Sequence, residues 1–318
     1  MSKLRTLLSP SFYRGLPDRL IRHTVWYRNI FEDYFRIRRI DQHQDIINLG
    51  SNPAKFGLDY SDCDVRGFNL AVGPQTMEYD LNMLKNYHSY LDERGPKLLL
   101  VVLFCPFSLC KDFYTERDGA VFRALRYYPI LHHAMIREYD ESVYQLWVRH
   151  PARLLLKDWK VWGRILTARK NCRLELAVNP LNEQEMQRSA DDFVAGWKRE
   201  FCLRDFDVRH LSEEVERALV YNSSVLDEIV SFCAERGIRP VFVLPPVSHH
   251  ITDRIPDDFK ERCMYSILRN KPVPLLDYTE DERFVKSEYF VNALCLNKTG
   301  RRNFTAQVIA DLKQRKML

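Results

Sequence analysis

Two groups of residues in the chain could carry out nucleophilic chemistry. Ser51 follows the apolar run 45–50, and the histidines His249 and His250 follow the apolar segment 240–245. A serine hydroxyl becomes an effective nucleophile when a neighbouring histidine takes its proton. Ser51 with His249 or His250 as the base would therefore support ester hydrolysis or acyl transfer.

Cys295 is a further candidate nucleophile, but it stands between Leu294 and Leu296. An apolar environment raises the pKa of a thiol and leaves it unreactive. The sequence therefore favours a structural role for Cys295.

The strands that precede these residues must position them. Five apolar runs alternate with helical patterns, which predicts a parallel sheet with helices on both faces. The predicted strands are 45–50, 66–72, 98–105, 240–245 and 273–277. The predicted helices include 76–94, 212–236 and 299–314; Ser212 should cap the start of the second and Gly237 should close its end. Because parallel strands end at one edge of a sheet, Ser51 and the two histidines are expected at the same edge.

Length and composition indicate a globular protein. The chain has 318 residues, of which 46% are hydrophobic, so it can bury a substantial core. No apolar run approaches the roughly 20 residues that span a bilayer, and the start of the chain lacks the apolar segment of a secretory signal. A cytosolic protein is therefore expected.

The eight cysteines are scattered and include no CxxC pair, which favours reduced thiols over disulfides or a metal site. They are Cys63, Cys105, Cys110, Cys172, Cys202, Cys233, Cys263 and Cys295. We predict neither a cofactor nor a metal.

The N-terminal segment 1–40 is basic, with nine Lys or Arg residues against three Asp or Glu. Apolar residues recur in it at helical spacing: Leu20, Ile21, Val25, Trp26, Ile30, Phe31, Tyr34 and Phe35. One interpretation is a basic amphipathic helix at a membrane surface. The other, which we favour, is a helix packed on the core with a solvated basic face. No nucleic-acid-binding motif accompanies the charge, so a nucleic-acid partner is not expected.

Residues 107–210 do not follow the alternation of strands and helices. They are rich in aromatic residues and arginine, and they predict a mostly helical insertion in an α/β domain that spans 41–318. Such insertions commonly lie where a ligand binds, so determinants of the ligand or partner are expected here.

Two stretches resemble sequence blocks of the SGNH (GDSL-type) hydrolases, especially the branch associated with bacterial acyl transfer and surface polysaccharides. The residues Asn48-Leu49-Gly50-Ser51-Asn52 resemble the first block, in which a strand leads into Gly-Asp-Ser or Gly-Ser-Ser and the last Ser is the nucleophile. The residues Asn292-Ala293-Leu294-Cys295-Leu296-Asn297-Lys298-Thr299-Gly300 resemble the last block, Asp-x-x-His-Leu-Asn-x-x-Gly, which supplies the acid and the base. The segment Pro240 to His250 is similar to the fourth-strand segment of the same branch.

This resemblance implies that all three positions of the catalytic triad are replaced. Asn52 stands at the nucleophile position, Asn292 at the acid position and Cys295 at the base position. An amide cannot attack an ester as an alkoxide does. If the alignment holds, the three side chains should lie within about 3–6 Å of their successive partners. Asn52 precedes Pro53 and is also expected to act as the N-cap of a following helix.

The resemblance also covers the oxyanion hole. Ala71, in Asn69-Leu70-Ala71, stands where the family has a Gly that donates its backbone N–H. The third block normally supplies an Asn side chain, and in Phe104-Cys105-Pro106-Phe107-Ser108 only Ser108 could donate in its place.

Together, the alternation and the resemblance imply a flavodoxin-like three-layer α/β/α fold with strand order 2-1-3-4-5. The leading hypothesis is a binding or scaffolding pseudoenzyme linked to bacterial surface-polysaccharide or acyl-group metabolism. Its small-molecule or glycan ligand would lie at the C-terminal edge of the sheet. Two alternatives stay open. One is an active ester hydrolase or O-acyltransferase with a displaced site, Ser51 with His249 or His250. The other is a peripheral assembly protein that contacts the inner membrane face through residues 1–40.

Overall fold

A five-stranded parallel sheet forms the centre of the α/β part of the chain. The computed structural model describes residues 10–111, 120–137, 139–169 and 181–318. The strands are β1 (Ile46–Gly50), β2 (Gly67–Asn69), β3 (Leu98–Val102), β4 (Arg239–Leu244) and β5 (Leu275–Asp277). All neighbouring strands pair in parallel, in the order β2-β1-β3-β4-β5, which confirms the predicted three-layer α/β class and strand order.

The central strands are apolar because both of their faces are covered. Every residue of β1 and β3 is buried, and Ile46 pairs in register with Leu98. Runs of Ile, Leu and Val suit a strand with no solvated face. The core of this part of the chain therefore lies on both sides of β1 and β3.

The described residues also form α-helices, some in the α/β part of the chain and some outside it. In chain order they are α1 (Pro10–His23), α2 (Val25–Ile30), α3 (Glu32–Ile37), α4 (Asn52–Gly57), α5 (Met77–Tyr87), α6 (Ala120–Tyr127), α7 (Glu141–Tyr144), α8 (Leu154–Lys157), α9 (Lys160–Thr167), α10 (Glu183–Glu200), α11 (Glu213–Glu235), α12 (His249–Thr252), α13 (Asp257–Lys260), α14 (Ser266–Arg269) and α15 (Lys298–Gln314).

The predicted ends of the long helix α11 are confirmed. The Ser212 side chain accepts a hydrogen bond from the Val215 N–H at the start of the helix. At its end Gly237 has φ +62°, and the Ile238 N–H donates to the Cys233 carbonyl. A left-handed glycine with this hydrogen bond closes a helix and turns the chain into the next strand, here β4.

The predicted strands 66–72 and 98–105 extend past the observed ends of β2 and β3, although single backbone hydrogen bonds to the neighbouring strands continue at Val72 and Leu103. After β2, the Ala71 N–H donates to Asn69 Oδ1 at 3.0 Å. After β3, the Phe104 N–H donates to Ser108 Oγ at 2.7 Å. Short polar side chains that accept nearby backbone N–H groups in this way stabilise the segments in which the chain leaves the sheet.

The chain divides into two compact units. The helical unit consists of the described residues of 1–39 and 119–172, and the sheet unit consists of those of 40–118 and 173–318. The predicted basic segment 1–40 therefore does not stand alone, because it clusters with part of the predicted insertion 107–210. The remaining part of that insertion, including α10, belongs to the sheet unit.

Among the described residues, the cysteines are free thiols, and Cys105, Cys110, Cys233, Cys263 and Cys295 are buried. Cys172, Lys3 and Arg5 lie outside the described residues. No helix in the described ranges is both long enough and apolar enough to cross a bilayer.

Candidate functional site

The turn after β1 is held in place by Gly50. Its φ is +131°, and a Cβ atom on it would lie only 2.5 Å from the Val102 carbonyl oxygen of β3. A glycine is therefore required here both for its backbone angle and for the close approach of β3. The helix α4 begins at Asn52, with Ser51 in extended conformation at the N-cap position. The prediction that Asn52 is the N-cap is wrong, because the chain leaves β1 one residue sooner than expected.

Asn52, at the predicted nucleophile position, lies with its carboxamide against Gly73. A Cβ atom at Gly73 would overlap Asn52 Oδ1 and Cγ. The amide therefore occupies the space directly over the Gly73 backbone, in the segment that follows β2. The position is filled by a group that has no nucleophilic atom.

Ser51 is joined to that same segment by its hydroxyl. Ser51 Oγ accepts a hydrogen bond from the Gln75 N–H at 3.1 Å. Gln75 in turn accepts from the Val72 N–H through Oε1 and donates to Asp80 Oδ1 through Nε2. The proposed alternative nucleophile therefore belongs to a hydrogen-bond chain that ends on a buried carboxyl.

That carboxyl, Asp80, lies beneath the turn and is 3% exposed. Burial raises its pKa to about 7, although hydrogen bonds from the Gln75 side chain and the Gly50 N–H act in the opposite direction. Asp80 therefore changes its charge near neutral pH. The sequence alone gave no reason to select it, since its burial depends on how α5 packs.

Both predicted oxyanion donors have partners within the chain. The Ala71 N–H points to Asn69 Oδ1, and Asn69 is itself fixed by donating to the carbonyls of Ala54 and Leu58, each at 2.9 Å. Ser108 Oγ accepts the Phe104 N–H, and the Ser108 N–H donates back to the Phe104 carbonyl at 2.9 Å. These groups stabilise the turns after β2 and β3.

Asn292 and Cys295 form one tight turn. Asn292 Oδ1 accepts the N–H groups of Leu294 at 3.0 Å and Cys295 at 2.8 Å. Cys295 is 6% exposed, and Phe290 and Leu296, on either side of the turn, are joined by an antiparallel bridge. An asparagine oxygen used in this way is a local turn cap, so Asn292 has a structural role.

The rest of the last block starts α15. Asn297 is the N-cap, and its Oδ1 accepts the Gly300 N–H at 2.9 Å. A Cβ atom at Gly300 would collide with the Tyr289 carbonyl oxygen. The Leu-Asn-x-x-Gly frame is thus explained by capping and close packing.

The turn 292–295 lies beside the end of β4, because the Ser248 N–H donates to the Ala293 carbonyl at 3.3 Å. A hydrogen bond joins Asn292 to the Cys295 N–H, and the Asn52 side chain lies against Gly73. That these two pairs lie within reach of each other stays a prediction.

The two predicted histidines lie beside a carboxylate that sequence reasoning missed. His250 Nε2 is 3.0 Å, and His249 Nε2 is 3.9 Å, from Glu183 Oε1 in the first turn of α10. Ligand atoms of the three residues all lie within 4.8 Å of one another. Imidazole and carboxylate groups in this arrangement could hold a metal ion. Glu183 was not predicted because it lies far away in the sequence, within the predicted insertion.

A polar cavity of about 530 Å³ opens beside the end of β5. Its lining residues are Asp257, Lys260, Glu261, Tyr265, Asp277, Glu280 and Asp281. The mostly buried Lys260 pairs with Asp257 at 2.9 Å and with Glu280 at 2.6 Å, so the cavity presents both hydrogen-bond acceptors and a cation.

A second cavity, of about 480 Å³, lies within the helical unit and is basic and aromatic. Its lining residues include Arg19, Arg22, Arg28, Tyr27, Arg38 and Arg149. Arg22 donates to the Val148 and Arg149 carbonyls, each at 2.8 Å. Burial raises the pKa of Tyr27 to about 12, so its hydroxyl remains neutral and donates to the Trp147 carbonyl.

Comparison with known proteins gives no further assignment, since neither a family model nor a curated protein matches this chain.

We predict that Gly73→Ala destabilises the protein through Asn52 alone. The new Cβ atom meets the Asn52 carboxamide, so Gly73→Ala should lower the free energy of unfolding by about 1–3 kcal/mol. Asn52→Ala should remove most of that loss, which urea unfolding of the single and double variants can measure. Gly196→Ala in α10 is the control, since its Cβ meets nothing within 4 Å and should stabilise by about 0.5–1 kcal/mol. If Gly73→Ala lowered the free energy of unfolding equally in the unmodified protein and in the Asn52→Ala variant, the contact with Asn52 would be contradicted.

A second prediction concerns Asp80 and pH. The carboxyl has a higher pKa in the folded state than the roughly 3.9 of an unfolded chain, so folding binds its proton more tightly. Its destabilising effect is absent below the unfolded pKa, grows as pH rises, and is complete above about pH 7, at roughly 4 kcal/mol. Asp80→Asn should therefore stabilise the protein more at about pH 8 than at about pH 4. Urea unfolding at both pH values measures this. The substitution also changes the hydrogen bond to Gln75, but that effect does not depend on pH and cancels between the two measurements. An equal effect of Asp80→Asn on the free energy of unfolding at both pH values would contradict the raised pKa.

Proposed function

We propose that this protein is a catalytically degenerate relative of the SGNH hydrolases that binds a polar ligand at the C-terminal edge of its sheet. The observation that carries the proposal is the carboxamide of Asn52, which occupies the nucleophile position and lies against Gly73. The resemblance links such a protein to bacterial surface-polysaccharide or acyl-group metabolism.

The loss of turnover expected when all three triad residues are replaced supports a binding role over a catalytic one. Removing a serine hydrolase triad lowers turnover by a factor on the order of 10⁶. Here the amide oxygen of Asn292 is used by two backbone N–H groups, and Cys295 is buried. These side chains stabilise a turn and supply neither an acid nor a base.

The cavity beside β5 supports a hydroxyl-rich ligand such as a glycan. Ligands of open α/β sheets bind outside the carboxyl ends of the strands, and Asp277 is the last residue of β5. Carboxylates such as Asp277 and Glu280 accept hydrogen bonds from sugar hydroxyls, whereas an acyl chain would require an apolar lining.

We expect the unmodified protein to hydrolyse short-chain p-nitrophenyl esters no faster than background. Asn52→Ser alone should add little, because no base is present to activate the hydroxyl. The triple variant Asn52→Ser, Asn292→Asp, Cys295→His should recover only weak hydrolysis, because the predicted oxyanion donors Ala71 and Ser108 already have partners within the chain. The positive half of the test is binding: neutral surface-glycan fragments should raise the melting temperature of the protein, and Asp277→Asn should reduce that shift.

The displaced-site alternative makes the opposite prediction. If Ser51 with His249 or His250 forms an active ester hydrolase or O-acyltransferase, the unmodified protein turns over esters, and Ser51→Ala or His249→Ala abolishes the activity. That outcome would replace the pseudoenzyme proposal. The bond between Ser51 Oγ and the Gln75 N–H favours a structural role for this serine.

Attachment to the inner membrane face is a second candidate function, and the exposed apolar residues of the helical unit favour it. Leu156, Trp159, Trp162 and Leu166 are 89%, 79%, 53% and 82% exposed, around α8 and α9. The basic residues Lys157, Lys160 and Arg164 stand between them and are exposed too. Tryptophan and leucine beside lysine and arginine are typical of helices that lie at the surface of an anionic bilayer.

This membrane contact differs in place from the one predicted for residues 1–40. In that segment Trp26, Tyr27, Phe31 and Ile37 are buried within the helical unit, as expected for helices packed on a core. The apolar surface of these four residues is therefore used in packing, whereas Leu20 and Val25 of the same segment are exposed. The segment 154–167 is the better candidate for the membrane contact. We call its exposed residues Leu156, Lys157, Trp159, Lys160, Trp162, Arg164 and Leu166 the Trp-Lys surface.

We predict that the protein co-sediments with vesicles that contain anionic phospholipid, and less so with vesicles of neutral phospholipid. Each basic residue near an anionic surface contributes about 1 kcal/mol, so raised salt should weaken the binding. Trp159→Ser with Trp162→Ser should reduce the bound fraction at least tenfold, since each inserted side chain contributes about 1.5–3 kcal/mol. Val220→Ser is the matched control, because Val220 is a 73% exposed apolar residue of α11 in the sheet unit. Equal binding by both variants would exclude the Trp-Lys surface as the contact.

A further inference from the structure

The structure brings two imidazoles and a carboxylate together beside the end of β4, from distant parts of the sequence. His249 and His250 open the short helix α12, and Glu183 opens the long helix α10. We propose that these three residues form a binding site for a divalent transition-metal ion of the zinc class. The proposal goes beyond ligand binding at the sheet edge and does not depend on it.

The spacing of the ligand atoms fits an ion. Two ligands at about 2.0–2.1 Å from a tetrahedral Zn²⁺ stand roughly 3.3 Å apart. Glu183 Oε1 is 3.0 Å from His250 Nε2 and 3.9 Å from His249 Nε2, which brackets that value. All three ligand atoms lie within 4.8 Å of one another, and the Glu183 side chain is 67% exposed.

The Nε2 atom of His250 gives an independent reason to expect a ligand. The His250 side chain is 9% exposed, and its Nε2 is buried with no hydrogen-bond partner. Glu183 Oε1 is near enough for an ion pair but does not meet hydrogen-bond geometry with this nitrogen. A buried polar atom without a partner is unfavourable by about 1–3 kcal/mol. A metal ion between Nε2 and Oε1 would satisfy both atoms.

Groups that would not contact the ion lie near the three ligand residues, as the hydrogen-bond partners of ligands do in metal sites. His249 Nδ1 is 3.5 Å from the Val285 carbonyl, so a proton on Nδ1 leaves Nε2 as the free ligand atom. The Ser287 hydroxyl is 3.5 Å from Glu183 Oε2, the carboxylate oxygen turned away from the histidines. The Ser248 hydroxyl caps α12 by accepting the His250 N–H, which fixes the backbone of the histidine pair.

The donor set indicates the class of metal. Imidazole nitrogen with one carboxylate suits Zn²⁺, Co²⁺, Ni²⁺ or Cu²⁺, whereas Mg²⁺ and Ca²⁺ prefer oxygen ligands throughout. Three protein ligands leave one tetrahedral position for water or for an oxygen atom of a bound molecule. Side chains of Glu183 and His249 are 67% and 44% exposed, so an ion can enter from solvent.

Calorimetry with Zn²⁺ tests the proposal on the full chain, made without a polyhistidine tag and stripped with a chelator. We expect about one Zn²⁺ per chain and a rise in melting temperature on binding. Co²⁺ at the same site should give visible ligand-field bands. Glu183→Gln and His249→Ala, both at exposed positions, should each weaken Zn²⁺ binding at least tenfold and remove the Co²⁺ bands.

Two matched controls keep the test specific. His132 and His133 are a second adjacent pair with ring centroids 4.0 Å apart, the same separation as His249 and His250. The variant His132→Ala, His133→Ala should bind Zn²⁺ as the unmodified protein does. Glu213→Gln, in the first turn of α11, controls for loss of a helix-start carboxylate. Absence of binding in the unmodified protein, unchanged binding in Glu183→Gln and His249→Ala, or loss in either control would overturn the proposal.

Discussion

The close approach of β1 to β3 at Gly50 is the constraint on which the rest of the sheet edge depends. The Gly50 Cα lies so near the Val102 carbonyl that any side chain would collide with it. The chain must therefore leave the strand there and begin α4 two residues later. That sharp turn directs Ser51 and Asn52 onto the segment after β2, and it points the Gly50 N–H at Asp80. An elbow of this kind keeps its shape whether or not its last residue is a nucleophile.

Hydrogen bonds between the side-chain amides of Asn48 and Asn69 support the same edge of the sheet. Asn48, fully buried in β1, donates to Asn69 Oδ1 at 2.9 Å and accepts from the Tyr60 hydroxyl at 3.1 Å. Asn69 then donates to the Ala54 carbonyl within α4 and to the Leu58 carbonyl directly after it. Amides that satisfy one another in this way fix a single arrangement of strand, turn and helix. Polar residues that might suggest catalysis in a linear sequence are used here for positioning.

Different chemistry arises where segments distant in sequence meet at the C-terminal edge of the sheet. Parallel strands bring the ends of β1, β4 and β5 to one side, and α10 adds Glu183 to the pair His249 and His250. The polar cavity beside Asp277 lies at the end of β5. The C-terminal edge of the sheet thus has groups that suit ions and hydroxyl-rich molecules.

The sequence by itself determined the parallel α/β class and the ends of α11, because apolar periodicity, Ser212 and Gly237 act on their own neighbours. The strand order was predicted from the alternation together with the family resemblance. The sequence also has Asn52, Asn292 and Cys295 at the positions where the resemblance implies a catalytic triad, and that correspondence stays a prediction. The N-cap at Ser51, the raised pKa of Asp80, the contact of Glu183 with the histidines and the exposure of Trp159 and Trp162 were decided by the tertiary structure. Each of these depends on which surfaces of separate segments meet, and local periodicity carries no information about contacts between residues far apart in the chain.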